Sequence, residues 1–302
     1  MKIYDCFMFY DEKMILDLRL NCLNKHIDKF IIVESSFTHS GEKRDLLFNI
    51  NDYPNFKDKI IYIVLEEQPK DLFELSKSDT FDQENSKYIL NALKRENLQR
   101  NTIEKGLLSA SPDDIVIISD VDEIPDLDKV DFNNKNNDII LFKQKFYYYK
   151  FNLKLISFDW YGSKACKRKN LISPQWLRNI KDKKYPFWRL DTIFSKKKYS
   201  NISFIEQGGW HFSNMKTAED IEKKMRTYLH HREYDVKPLG VDRIKEIIKN
   251  KKSVYNLKTD MKNEKIDGTQ DLSISNIKEL PFYIQNNINK YKNWIEIEKN
   301  EF

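Results

Sequence analysis

Asp113-Asp114-Ile115-Val116-Ile117-Ile118-Ser119-Asp120-Val121-Asp122-Glu123-Ile124-Pro125 is the stretch that decides the fold. Ile115 to Ile118 are four consecutive β-branched apolar residues, the pattern of a short strand buried on both faces inside a parallel sheet. The strand runs into acid, and Pro125, lacking an N–H, marks where it stops. Asp120 and Asp122 are two apart, so along a strand they point to one side with Cβ atoms roughly 7 Å apart. Two carboxylates that close share a cation; without one they repel, and a proton is retained. Oxygen ligands at the carboxyl end of a sheet strand suit Mg²⁺ or Mn²⁺ with a bound phosphate. A lone D-x-D is more often a solvated loop, but here an uninterrupted apolar run leads into D-x-D-E-x-P.

Outward from this strand, the chain alternates strand and helix. Lys2 to Tyr10, Phe30 to Val33 and Lys59 to Leu65 read as further strands, and Ile139 to Phe142 as one beyond the acids. Helical spacing follows the first strand at Met14, Ile15, Leu16, Leu18, Leu20 and Leu23. The sequence therefore predicts an α/β protein with a Rossmann-like, mostly parallel sheet flanked by helices. Glu12 and Glu34 fall just past strand ends, where such a sheet opens its ligand crevice. The longest helix signal runs from Lys87 to Leu108, with an apolar stripe of Tyr88, Leu90, Ala92, Leu93, Leu98, Ile103 and Leu107. On it Arg95 and Gln99 share a face, being four apart. The aromatic-rich stretch from Phe146 to Trp188 reads mainly as core strands, with exposed rings offering a platform for sugar C–H faces. Lys164, Arg168 and Arg178 are placed to meet a phosphate, but the Lys/Arg-rich stretches around them and at Lys181 to Lys184 read rather as solvated faces. Ala218 to Tyr228 and Pro281 to Trp294 read as helices, the second closing the domain, and Asp267-Gly268 as a turn.

Composition narrows the function. The 302 residues carry 52 basic and 47 acidic side chains, a balance of +5 that does not describe a nucleic-acid binder. Three cysteines, Cys6, Cys22 and Cys166, lack metal-ligand spacing and are odd in number, which fits a reducing compartment rather than a disulfide framework. The chain enters a strand pattern at once, without signal-peptide features, and has no apolar run of the roughly 20 residues a membrane span needs. The expectation is a cytoplasmic protein.

Ser119 to Pro125 resembles the metal-binding signature of glycosyltransferase family 17, whose members are β-1,4-mannosyl-glycoprotein β-1,4-N-acetylglucosaminyltransferase-like. Further blocks agree in the same order: Lys2 to Tyr10 with Glu12, Phe30 to Ser35, Arg95-Glu96-Asn97-Leu98-Gln99-Arg100-Asn101, and Gly208-Gly209-Trp210-His211-Phe212-Ser213. A weaker echo continues through Asp267 to Gln270 and Leu280-Pro281. His230-His231-Arg232-Glu233 resembles a family H-x-E whose register stays open.

The resemblance implies a single GT-A type glycosyltransferase domain over residues 1–302. Residues 1–130 would form its nucleotide-sugar half, and 131–302 its acceptor half with C-terminal helices. It implies inverting transfer of GlcNAc or a related sugar from a UDP-sugar donor to a glycan or glycoconjugate, with Mn²⁺ or Mg²⁺ as cofactor. Asp122 is then the direct metal ligand. Asp120 binds metal, metal-bound water, ribose or sugar, and His211 either completes the metal shell or orients a phosphate. Glu12 and Glu34 fall where the nucleotide base and ribose bind, while Arg95, Gln99 or Arg100 touches the nucleotide or locks the D-x-D loop. Inversion needs a base, for which Asp191, Glu206 and Glu219 are candidates. Two other classes are a Mg²⁺-dependent phosphohydrolase of the haloacid-dehalogenase type and a non-catalytic sugar-binding module. The hydrolase's D-x-D belongs near the N-terminus and is followed by Thr or Val, whereas here Glu123-Ile124-Pro125 follows at mid-chain.

Overall fold

The apolar runs of the first third of the chain pair in parallel because helical segments carry the chain back after each one. In the computed structural model, β1 (Ile3–Phe9), α1 (Lys13–Leu23), β2 (Lys29–Ser35), β3 (Ile60–Leu65), α2 (Phe81–Asn101) and β4 (Ile115–Asp120) follow in order. The structure describes residues 1–134, 138–184, 195, 199, 201–227, 234–235, 238–255 and 270–297. β1 lies between β2 and β4, and β3 lies beyond β2, all parallel. Side chains alternate across this sheet. Tyr4, Cys6, Ile31, Val33, Val116 and Ile118 enter one apolar layer with Ile103, Leu107 and Leu177. Phe7, Phe9, Phe30, Ile32, Ile115 and Ile117 enter the opposite layer, against Leu16 and Leu20 of α1.

Beyond β4 come β5 (Glu123–Pro125), β6 (Ile139–Phe142), β7 (Gln144–Tyr148), β8 (Leu153–Trp160), β9 (Lys164–Lys167) and α3 (Pro174–Arg178). Then follow β10 (Ile202–Ile205), β11 (Gly209–Ser213), α4 (Ala218–Thr227), α5 (Val241–Lys249), β12 (Leu272–Ile274), α6 (Phe282–Asn286) and α7 (Ile288–Tyr291). The first sheet has the order β3-β2-β1-β4-β9-β6-β10, with β9 antiparallel to both neighbours. A second sheet has the order β12-β8-β7-β11-β5. The architecture is mixed α/β: a large, parallel-rich sheet flanked by helices, as the alternation predicts. No helix among the described residues is long and apolar enough to cross a membrane. The three cysteines are free thiols.

Four local expectations are corrected. The strand does not continue through the acids: β4 ends at Asp120, Val121-Asp122 is a turn, and Glu123 starts β5. Asp120 and Asp122 therefore do not share a side by strand periodicity. Pro125 ends β5 and not the strand of Ile115; it lies across from Gly209 on the edge of the second sheet, where a missing N–H breaks no ladder. On α2, Leu90 and Leu93 are exposed while Asn91, Gln99 and Arg100 are buried with Ala92. That helix turns polar groups inward because partners lie there: the Phe73 backbone for Asn91, Val33 O and His39 for Gln99, and Asp120 for Arg100. The closing helix is two short ones, α6 and α7, which bury Ile284 and Tyr291 in the layer beneath α1. Phe187, Trp188, His230, His231 and the Asp267-Gly268 turn lie outside the described residues.

Candidate active site

The Val121-Asp122 turn separates two differently built sides. Asp120 shares the parity of Val116 and Ile118, so it faces the layer holding α2 and α3. There Arg100 of α2 donates to its Oδ1 at 3.0 Å, and Arg178 at the end of α3 donates to its Oδ2 at 2.7 Å. Arg178 also reaches both oxygens of Glu123, each at 2.7 Å. Glu123 is fully buried and further accepts from Trp160 Nε1 at 2.5 Å and from the Asp120 amide at 2.8 Å. A planar guanidinium suits this bridging, since its fork serves two carboxylates at once. Gly162 is required beside it: a Cβ there would lie 2.1 Å from the Glu123 carboxylate. Burial opposes a charge on Asp120, but Arg178 and Arg100 outweigh it and hold the carboxyl far below its usual range.

On the other side, Asp122 lines a cleft of about 330 Å³ with Asp11, Glu12, Asn214, Lys216, Asp220 and Lys224 among its walls. Its neighbour is His211 of β11, whose Nε2 stands 3.6 Å from Asp122 Oδ2, too far for a hydrogen bond. His211 Nδ1 is buried without a partner. The ring is held between Phe146 and Trp160, at centroid distances of 4.2 and 5.2 Å. Gly209 brings β11 close enough to do this: at φ +131°, any Cβ would meet Ile124 O at 2.2 Å. Burial works against a charge on Asp122, yet the adjacent His211 keeps its carboxyl below the ordinary range.

The other sequence-predicted residues divide. Glu12 lines the cleft, its carboxylate bound to the amides of Tyr10 and Asp11. Glu34 does not: it is fully buried and accepts from Arg44, the Leu47 and Phe48 amides and the Tyr62 hydroxyl at 2.7–3.0 Å. With every oxygen engaged, it fastens the segment after β2 instead of facing a ligand. Arg100 reaches the Asp120 carboxylate at 3.0 Å, which places it beside the D-x-D loop. Gln99 spans from Val33 O at 3.0 Å to His39 at 3.1 Å. Arg95 is half-buried, bonded to Gln68 at 2.8 Å and His39 O at 3.2 Å, without a carboxylate partner among the described residues. Glu206 and Glu219 are exposed and paired with Lys143 and Lys245, neither of which lines the cleft. Asp191 lies outside the described residues.

Sequence reasoning missed Arg178, Trp160 and the structural role of Glu123. Arg178 sits among cations that read as solvated, and nothing local marks it as the partner of acids some fifty-five residues away. Lys164, also read as solvated, is buried against the carbonyls of Arg178 and Ile180, and burial pulls its ammonium down to about 7. Arg168 pairs with Glu104. Of the aromatics, Phe146, Tyr147, Tyr148 and Tyr149 are core, as expected.

No cluster of three or more His, Cys, Asp and Glu groups gathers to hold a metal among the described residues. The residues present still fit a divalent cation with further ligands from solvent or substrate. Asp122, which no arginine among the described residues reaches, and His211, whose Nε2 stands 3.6 Å from Asp122 Oδ2, are the side chains that would hold one. The sequence profile of glycosyltransferase family 17 matches residues 1–296. The human β-1,4-mannosyl-glycoprotein 4-β-N-acetylglucosaminyltransferase is 30% identical over 122 residues, covering 39% of this chain and 21% of the human protein. The rat enzyme of the same name is also 30% identical over 122 residues, covering 39% of this chain and 20% of its own length. These alignments thus take in about a fifth of each relative. With the profile spanning nearly its whole length, the chain belongs to glycosyltransferase family 17.

Proposed function

We propose that this glycosyltransferase moves N-acetylglucosamine, or a related sugar, from a UDP-sugar to a glycan hydroxyl with inversion. The sugar and acceptor class follow from the activity named for the mammalian relatives. The observation that carries the metal-dependent reading is the Asp122–His211 pair, 3.6 Å apart, with Asp122 on the wall of a charged cleft. A GT-A type fold is supported by the order β3-β2-β1-β4 followed by antiparallel β9, with the acids at the carboxyl end of β4. A divalent cation, Mn²⁺ or Mg²⁺, held by Asp122 and His211 supplies Lewis-acid neutralisation of the leaving diphosphate. Lys224, bonded to Asn214, and Lys216, paired with Asp11, bring ammonium groups to the cleft wall that faces the same anion. Arg95, the α2 cation without a carboxylate partner among the described residues, is left for the nucleotide. Inversion needs a base to take the acceptor proton. With Glu206 and Glu219 outside the cleft, the role falls to Asp191 or to the cleft carboxylates Asp220 and Asp11, the latter ion-paired with Lys216.

The test is incubation with a panel of UDP-sugars, glycan acceptors and Mn²⁺. Acceptor-dependent release of UDP, lost in EDTA, is the expected result. Phosphate release from monoesters instead would make the chain a hydrolase, and sugar binding without turnover would make it a binding module.

A further inference from the structure

All four carbonyls from Asp120 to Glu123 are tied down, and three of them converge on one atom. Arg19 of α1 sends its Nη1 to the carbonyls of Asp120 at 3.1 Å, Val121 at 3.3 Å and Glu123 at 2.6 Å. The remaining carbonyl, that of Asp122, accepts from the Phe212 amide at 2.9 Å. Arg19 is wholly buried, its Nε and Nη2 bound to Asp5 at 2.7 and 2.5 Å and its guanidinium 4.6 Å from the centre of the Phe7 ring. Asp5 and Phe7 share one face of β1, the face that α1 covers.

We infer that Arg19 is the positioning residue of the candidate metal site, fixing the turn so that Asp122 is delivered to His211. A guanidinium with its fork on Asp5 keeps one nitrogen for the turn, so it serves as a built-in cation beneath it. With the carbonyls of Asp120, Val121 and Glu123 drawn inward, the Asp122 side chain is left to project toward the cleft. Phe212 holds the remaining carbonyl and is the chain neighbour of His211, so the same two anchors set both candidate ligands. A lysine ammonium lacks the fork and cannot serve Asp5 and all three carbonyls together. The inference deepens the metal-dependent reading and rests on it for the identity of the ligand, but not for the role of Arg19 in the turn.

The experiment compares Arg19→Lys with Asp5→Asn. The second variant also disturbs the buried pair yet keeps every bond from Arg19 to the turn. Hydrogen exchange is followed in peptides covering the turn and in peptides covering β1 to β3. Mn²⁺ affinity in the presence of UDP is followed by the paramagnetic resonance of the free ion. Arg19→Lys is expected to speed exchange in the turn at least 10-fold beyond any change in β1 to β3, and to weaken Mn²⁺ at least 10-fold. Asp5→Asn should lower the melting temperature while Mn²⁺ affinity stays within about twofold. If both variants raise exchange everywhere in proportion to lost stability, Arg19 is a core ion pair and the inference fails. Should Arg19→Lys not fold, Asp5→Asn still decides: a loosened turn with Arg19 in place overturns the inference, and a protected turn upholds it. Absence of Mn²⁺ binding in the wild type would remove the metal reading, while the exchange data alone judge Arg19.

Discussion

The two sides of the Val121-Asp122 turn are built to opposite specifications. On the α2–α3 side, Asp120 and Glu123 have Arg100, Arg178, Trp160 and a backbone amide on their oxygens. On the β11 side, Asp122 faces an imidazole beyond hydrogen-bond range, with one ring nitrogen buried and unpartnered. Buried polar groups are normally satisfied, because an unmade bond costs about 1–3 kcal/mol. On the first side every carboxylate oxygen of Asp120 and Glu123 has a donor, although Arg100 Nε is itself buried without a partner. On the second, His211 Nδ1 is unpartnered and no arginine among the described residues reaches Asp122, which makes that side the candidate for a ligand. Both sides are acidic in sequence, so only their partners tell them apart.

The largest expected effect breaks the open side. Asp122→Ala should lower kcat/KM by at least about 1000-fold, equivalent to about 4 kcal/mol of transition-state stabilisation. The melting temperature should stay within roughly 3 °C, since the side chain's ion pair with His211 is 3.6 Å long. Steady-state kinetics and calorimetry on one preparation check both halves. Breaking the closed side should read out as stability. Arg178→Met leaves Glu123 buried without its cation and should cost about 3–5 kcal/mol in urea unfolding.

A smaller effect separates Glu34 from the cleft. Glu34→Gln replaces a carboxylate that serves a guanidinium, a hydroxyl and two amides, and should destabilise by about 1–3 kcal/mol. Donor kcat/KM should move by less than about threefold; a larger loss with stability unchanged would restore Glu34 to the donor site.

The smallest effect concerns acid. Asp120 is held below its unfolded value by Arg178 and Arg100 against the cost of burial. The folded state thus releases this proton more readily than the unfolded chain. That stabilisation is fully present above the unfolded value of about 3.9 and drains away as pH falls toward the folded one. Melting curves from pH 7 to pH 3 should fall more steeply at the acid end for wild type than for Asp120→Asn. Parallel curves would mean that the two arginines contribute nothing through the charge of Asp120.

What the sequence made legible follows from the range of the forces involved. The parallel strands were readable because Ile115 to Ile118 and Phe30 to Val33 are apolar on both faces, a local signal. Strand ends and a glycine pair marked Asp122, Glu12 and His211 as candidates, and the structure puts Asp122 and Glu12 on one cleft with His211 beside Asp122. The turn at Val121 was not, since a strand reading carried past Asp120 keeps a period of two and places both acids together. The carbonyls of that turn are gathered by Arg19, some hundred residues earlier, which no local spacing announces. Arg178 and the inward polar face of α2 stayed hidden for the same reason: their partners are set by topology and leave no trace in local spacing.

The most direct measurement is a crystal structure with UDP and Mn²⁺. The account predicts one ion about 2.2 Å from both an Asp122 carboxylate oxygen and a His211 nitrogen, with Arg100 and Arg178 still on Asp120. An ion bound to Asp120 with the arginines displaced, or an imidazole of His211 turned away from the metal, would contradict it.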